Sequence, residues 1–105
     1  MATLSITGRD VDVNEEGFLT DPSQWDEDLA VELARQIHID ELTDDHWKVI
    51  RFLRDDYASH DETATLRRVS TLAGVPTKQL YELFPKKPAK KMAYIAGLPK
   101  PKGCV

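Results

Sequence analysis

The chain has 105 residues, of which 41% are hydrophobic and 30% charged, and a formal net charge of −4. That length allows one domain with one modest core, and the composition is that of a soluble globular protein and excludes a disordered one. No apolar run approaches the span of a bilayer, and the start Met1-Ala2-Thr3-Leu4-Ser5-Ile6 has neither the basic lead nor the long apolar stretch of a secretory signal. The sequence therefore predicts a cytoplasmic protein, in which the single cysteine, Cys104, stays a thiol.

The net charge hides a division. Residues 1–62 hold 17 acidic against 5 basic side chains, a balance of −12, whereas residues 63–105 hold Glu82 against nine Lys and Arg, a balance of +8. Two readings follow: a basic face that meets a partner, or two solvated faces that attract each other inside one domain.

In chain order, Leu4-Ser5-Ile6-Thr7, Gly8-Arg9 and Val11-Asp12-Val13 alternate apolar and polar about a glycine turn, which predicts a short β-hairpin lying on helices. Asp21-Pro22-Ser23 is a start element. Beyond it Leu29, Leu33 and Ile37, with Ala30 and Ala34 beside them, mark one face of a first helix. Thr43 caps a second, with Asp44 and Asp45 in its first turn and Trp47, Ile50, Leu53 and Tyr57 on its apolar face. After Ser59-His60-Asp61-Glu62, Thr63 is the expected cap of a third helix carrying Leu66, Val69 and Leu72, which Ala73-Gly74 ends. Val75-Pro76-Thr77 starts a short fourth helix with Leu80, Tyr81, Leu83 and Phe84 as its core side, closed by Pro85. Pro88 begins a fifth helix over Ala89–Ala96, which Gly97 terminates. The expected fold class is mainly α: a compact domain of about five helices, including a helix-turn-helix-like pair, with an N-terminal hairpin. The domain is expected to end at residue 97, with residues 98–105 as a flexible C-terminal arm.

The arm carries the chemistry. Pro99 and Pro101 keep it extended, Lys100 and Lys102 keep it solvated, and Gly103 frees the joint before Cys104. Fully extended, residues 98–105 reach about 25–30 Å. A thiol placed there is neither core filler nor a disulfide partner, and it can enter another protein's pocket. Lys100 and Lys102 favour its thiolate, the carboxylate of Val105 opposes it, and His38, His46 and His60 all lie in the acidic half. Activation by a partner's pocket suits such a thiol, and the alternative is a tail with an incidental cysteine.

Four stretches resemble the TusE/DsrC family of sulfur-relay proteins, which includes the gamma subunit of dissimilatory sulfite reductase. They are Glu16-Gly17-Phe18-Leu19 with Trp25; His46-Trp47 with Phe52-Leu53-Arg54; Leu80-Tyr81-Glu82-Leu83-Phe84-Pro85; and Pro88-Ala89-Lys90 running into Ala96-Gly97-Leu98-Pro99-Lys100-Pro101-Lys102-Gly103-Cys104-Val105. The resemblance implies a helical domain with a small hairpin, and a catalytic Cys104 that accepts sulfur as a persulfide and passes it on. No cofactor or metal is expected. The resemblance also implies an upstream sulfur-donor complex of the TusBCD/DsrEFH type. The downstream acceptor is a tRNA thiolase or a sulfite reductase-type enzyme, so the pathway is tRNA 2-thiouridine synthesis or dissimilatory sulfur metabolism. No membrane partner is implied, and the expected state is a monomer, linked through Cys104 into a dimer on oxidation.

Two departures from the family pattern matter. The members that work with sulfite reductase carry a second cysteine upstream of the arm, where this chain has Ala93 in Lys91-Met92-Ala93-Tyr94. The internal disulfide is then impossible, and single-thiol persulfide transfer remains. The link between Val69 and Leu80 is also short, where many members have a longer lysine- and glycine-rich loop.

The rivals are a helix-turn-helix DNA-binding regulator over Leu66–Phe84 and a noncatalytic subunit of a sulfite reductase. Arg67, Arg68 and Lys78 suit phosphates, but the second helix of the pair offers only Lys78, Gln79 and Glu82 to base edges. His38, Asp40, Glu41, Asp44, Asp45 and His46 are metal-ligand types without the spacing of a compact site, and the acids fit a helix start. Lys86-Lys87 and Lys90-Lys91 suit either an acidic partner, tRNA or plain solvation.

Overall fold

In the computed structural model, which describes residues 2–6 and 8–101, strands β1 (Ala2–Ile6) and β2 (Arg9–Val13) pair antiparallel, with Leu4 opposite Val11 and Ala2 opposite Val13. Alternation turns Val11 and Val13 inward, where they join Leu19, Leu29 and Leu33 in a small apolar cluster. This is how a two-stranded ribbon, marginal alone, is held on the first helix. The Asp12 amide donates to Gln24 Oε1 at 2.8 Å, tying the ribbon to a single 3₁₀ turn at Pro22–Gln24.

Five helices follow: α1 (Glu27–Gln36), α2 (Asp44–His60), α3 (Leu66–Leu72), α4 (Thr77–Leu83) and α5 (Pro88–Ile95). Asp21-Pro22-Ser23 forms the 3₁₀ turn, and α1 starts later, where Asp26 accepts from the Leu29 amide at 2.8 Å. Helix α2 begins as expected at Thr43, in a capping box completed by a histidine. His46 Nδ1 accepts from the Thr43 amide at 3.1 Å, and Nε2 lies 2.8 Å from the Leu83 carbonyl, so Nε2 carries the proton and donates. The main core is built from Val49, Ile50 and Leu53 of α2, Val69, Leu80, Phe84, and Met92 and Ile95 of α5.

Three sequence expectations are corrected. Thr65 caps α3, accepting from the Arg68 amide at 3.2 Å; Thr63 is buried and bonded elsewhere. Leu72 and Tyr81 are 56% and 52% exposed, because each short helix turns only Val69 or Leu80 fully into the core. Helices α3 and α4, joined through Gly74 at φ +73°, do have the helix-turn-helix outline.

Helices α2 and α3 are bracketed by Asp56, which is buried and bonded to Arg68 by Nε at 3.0 and 3.1 Å and by Nη2 at 2.8 Å. The hydrogen bonds from Arg68 hold the Asp56 carboxyl below the usual value of 3.8, against an opposing effect of burial. With the folded pKa depressed, this bracket stabilises fully above the unfolded pKa and is lost as pH falls through the folded value. Urea melts between about pH 5 and pH 2 should show wild type losing a component of stability that Asp56→Asn lacks. The variant should also be the weaker protein at neutral pH; parallel pH profiles would refute the assignment.

Candidate functional site

The arm leaves the domain at the C-terminus of α5, and three distant segments meet there. A helix end leaves carbonyls without partners, and here each is given one. Gly97, at φ +70°, donates to the Tyr94 carbonyl at 3.2 Å, and Leu98 donates to the Ala93 carbonyl at 3.1 Å, the paired bonds of a Schellman turn. The Ile95 carbonyl accepts from Trp25 Nε1 at 2.8 Å, and the Ala96 carbonyl accepts from Arg54 Nη1 at 2.8 Å. Arg54 Nη2 reaches the Pro22 carbonyl at 2.9 Å, and its guanidinium carbon lies 4.2 Å from the centre of the Trp25 ring. Burial lowers the Arg54 pKa from its ordinary value.

Gly97 fits this clamp for two reasons. Its φ is left-handed, and a Cβ there would stand 2.5 Å from Trp25 Cδ1 and 2.8 Å from Cβ and Cγ of the same side chain. Gly74 shares the left-handed φ but has open space around it. Gly97→Ala should therefore cost about 2–4 kcal/mol, strain and overpacking together, against about 1 kcal/mol for Gly74→Ala. Chemical denaturation of the two variants measures the difference, and equal losses would mean that the Trp25 contact carries no weight.

Beyond the clamp the chain stays on the domain for four residues. Leu98 is 1% exposed and belongs to the main core. The Thr63 hydroxyl donates to the Pro99 carbonyl at 2.7 Å, Lys100 Nζ pairs with Glu16 Oε1 at 3.2 Å, and Pro101 is buried. The boundary expected between residues 97 and 98 thus does not follow the packing: residues 98–101 lie on the domain. Cys104, the expected sulfur-bearing residue, lies outside the described residues, as do Lys102, Gly103 and Val105.

The stretches singled out in the sequence sort into two places. Glu16, Gly17 and Phe18 lie against the arm and α5: Phe18 meets Tyr94 edge to face at 5.9 Å, and burial raises the Tyr94 pKa. Trp25, Arg54 and Ala96-Gly97-Leu98 form the clamp itself. His46 and Leu83-Phe84 meet instead at the α2 N-terminus, where the His46 and Phe84 rings stack edge to face at 5.1 Å. Ala93, at the second-cysteine position, is fully buried. Asp45 accepts from Gln79, and no group of three or more potential ligands is placed to hold a metal among the described residues. Sequence reasoning missed Thr63 and Glu16 as arm contacts; both are bonds across 36 and 84 residues that no local pattern reports.

The family profile described as DsrC like protein matches residues 5–105. The chain belongs to the DsrC-like family. Within it, the sulfurtransferase TusE of Escherichia coli is 39% identical, over 97% of this chain and 99% of that one. The crystal structure of dissimilatory sulfite reductase I (DsrI) superposes with a TM-score of 0.87 at 36% identity, covering 99% of this chain and 100% of that one. The oxidized gamma subunit of dissimilatory sulfite reductase (DsrC) from Archaeoglobus fulgidus gives 0.80 at 38% identity, with the same coverage. The mainly helical fold with its N-terminal hairpin is thus the DsrC fold. This DsrC-like chain is a sulfur-relay protein. Among the described residues, no helix is long and apolar enough to cross a membrane.

Proposed function

We propose that Cys104 is the relay thiol: it accepts sulfur as a persulfide from a donor protein and delivers it to an acceptor protein, in the cytoplasm. The observation that carries the reading is positional. The chain's one cysteine follows Pro101, the last described residue, by three positions, on a base bonded by Trp25, Arg54 and Thr63.

The chemistry is a redox-neutral exchange. The Cys104 thiolate attacks the terminal sulfur of the donor's persulfide, a new S–S bond forms on Cys104, and the donor's own S–S bond breaks to release its thiolate. Delivery is the same step with Cys104 as the leaving thiolate. Lys100 is engaged by Glu16, so its charge is partly spent within the domain and activation of the thiol falls to the partner's pocket. Ala93 removes the option of an internal disulfide, which restricts the chain to single-thiol transfer.

The donor we propose is a complex of the TusBCD/DsrEFH type, and the acceptor a tRNA thiolase or a sulfite reductase-type enzyme. The chain is proposed to act as a monomer, with oxidation giving a Cys104-linked dimer. The DNA-reading and noncatalytic-subunit alternatives gain no support. In the helix-turn-helix-like pair, Arg68 is held by Asp56, Gln79 by Asp45, and Leu80 is buried.

Incubated with a persulfidated donor, the protein should gain the mass of one sulfur atom, lost again on reduction, and Cys104→Ser should gain none. Loading of the serine variant to the same extent would refute the reading. A chain ending at Pro101 keeps every described contact, so it should melt with the full-length protein and take up no sulfur. A chain ending at Gly97 loses the buried Leu98 and should be destabilised by about 2–5 kcal/mol. Thermal melts with intact-mass spectrometry read both.

A further inference from the structure

Thr63, which holds the Pro99 carbonyl, also stands at the inner end of a depression along the outer side of α3. Two adjoining hollows form it. The inner one, of about 180 Å³, lies between Asp56, His60, Thr63 and Arg68; the outer one, of about 420 Å³, runs past Arg67 and Thr71 to Leu72. Thr65 and Arg68 line both, so the two hollows adjoin across these side chains and together run from beside Thr63 to Leu72.

Its chemistry changes along its length. At the inner end the Arg68 guanidinium is taken up by Asp56, with His60 3.3 Å from the same carboxylate. At the outer end Arg67 is exposed and has no ion pair among the described residues, and Leu72 beside it is one of two large hydrophobic side chains exposed among the described residues, the other being Tyr81 on α4. A single exposed leucine is ordinary; its place in a groove that starts at the arm is what gives it meaning. From Pro101 to Cys104 a fully extended chain covers about 11 Å. A partner whose reactive centre meets Cys104 therefore comes within about 11 Å of Pro101, and the surface beside Thr63, which holds the neighbouring Pro99, is next to that point.

We propose that this groove is the docking surface for the relay partner, and that the partner is a protein presenting an apolar side chain to Leu72 and a carboxylate to Arg67. The proposal rests on the relay reading of Cys104. Between residues 63 and 101 Glu82 is the only acid, so this half of the molecule attracts an acidic surface and repels a basic one. RNA fits less well: one unpaired guanidinium beside a leucine, with Asp56 and Glu62 at the inner end, does not make the row of cations that tracks a phosphate backbone.

The test uses the full-length protein and measures the rate of sulfur transfer to it from its own organism's TusBCD/DsrEFH-type donor complex, below saturation. Leu72→Asp and Arg67→Glu should each slow transfer at least about tenfold. Tyr81→Asp, the other exposed large side chain, lies outside the groove and should leave the rate unchanged. Loading by glutathione persulfide, which needs no docking, should stay within about twofold of wild type in every variant, and melting temperatures within about 3 °C. Normal protein-to-protein transfer by both groove variants would overturn the groove and leave the relay intact. No loading of wild type from either donor would overturn both. Wild-type binding of bulk tRNA that Arg67→Glu abolishes, with transfer unaffected, would assign the groove to RNA and end the proposal.

Discussion

One guanidinium organises the region on which the arm depends. Arg54 sits between the end of α5, the 3₁₀ turn and the Trp25 ring, and its partners are the Ala96 and Pro22 carbonyls. No carboxylate pairs with it among the described residues, so the counter-charge is the negative end of α5, helped by the face of an aromatic ring. A lysine, with a compact ammonium, would not span both carbonyls while lying flat on the indole. Because Arg54 and Trp25 satisfy the last carbonyls of α5, the chain can turn at Gly97 and leave in one direction. The same two side chains join α2 and the N-terminal segment to the helix that carries the arm.

The charge division resolves into two parts under this geometry. Some of it is internal: Asp56 with Arg68, and Glu16 with Lys100, each cross from the acidic half to the basic half. The exposed pair contributes little to stability, so its effect is to place Lys100. The rest is unspent. Arg67, Lys78, Lys86, Lys87, Lys90 and Lys91 have no ion pairs among the described residues, which leaves α3, α4 and the start of α5 net positive toward solvent. The charge asymmetry is therefore partly internal attraction within one domain and partly a cationic surface open to solvent.

The helices were legible because their apolar spacing and their caps agree, as at Thr43 and at Gly97. The errors came where two local rules competed. Thr63 and Thr65 are equally good caps by type; burial of Thr63 against Pro99 decides between them, and that contact is not local. Leu72 and Tyr81 sit on helices of seven residues, too short for periodicity to fix which apolar positions face inward. The prolines that follow Leu98 favour an arm beginning there. Yet a leucine directly after a helix-ending glycine is the usual apolar contact of a Schellman turn, so that signal was present and outweighed. No local pattern reports the clamp, since Trp25 and Arg54 reach across 70 and 42 residues, although both fall in the stretches that carry the family resemblance.

Anchoring of residues 98–101 sets two distinct lengths of tether for the relay thiol proposed at Cys104. Leu98 is held by the core and does not let go without unfolding part of it, whereas the hold beyond it comes from the single Thr63 hydrogen bond, the exposed Lys100–Glu16 pair and the packing of Pro101. A fully extended chain counted from Pro101 places position 104 at most about 11 Å away; counted from Leu98, with these contacts broken, the limit doubles to about 20 Å. The release involves one neutral hydrogen bond, a solvent-screened pair and one buried ring, a modest cost beside the energy of a protein interface. Under the relay role proposed for Cys104, one thiol then serves donor and acceptor pockets of different depth without disturbing the domain, while the Trp25 and Arg54 bonds at Gly97 hold the end of α5 in place.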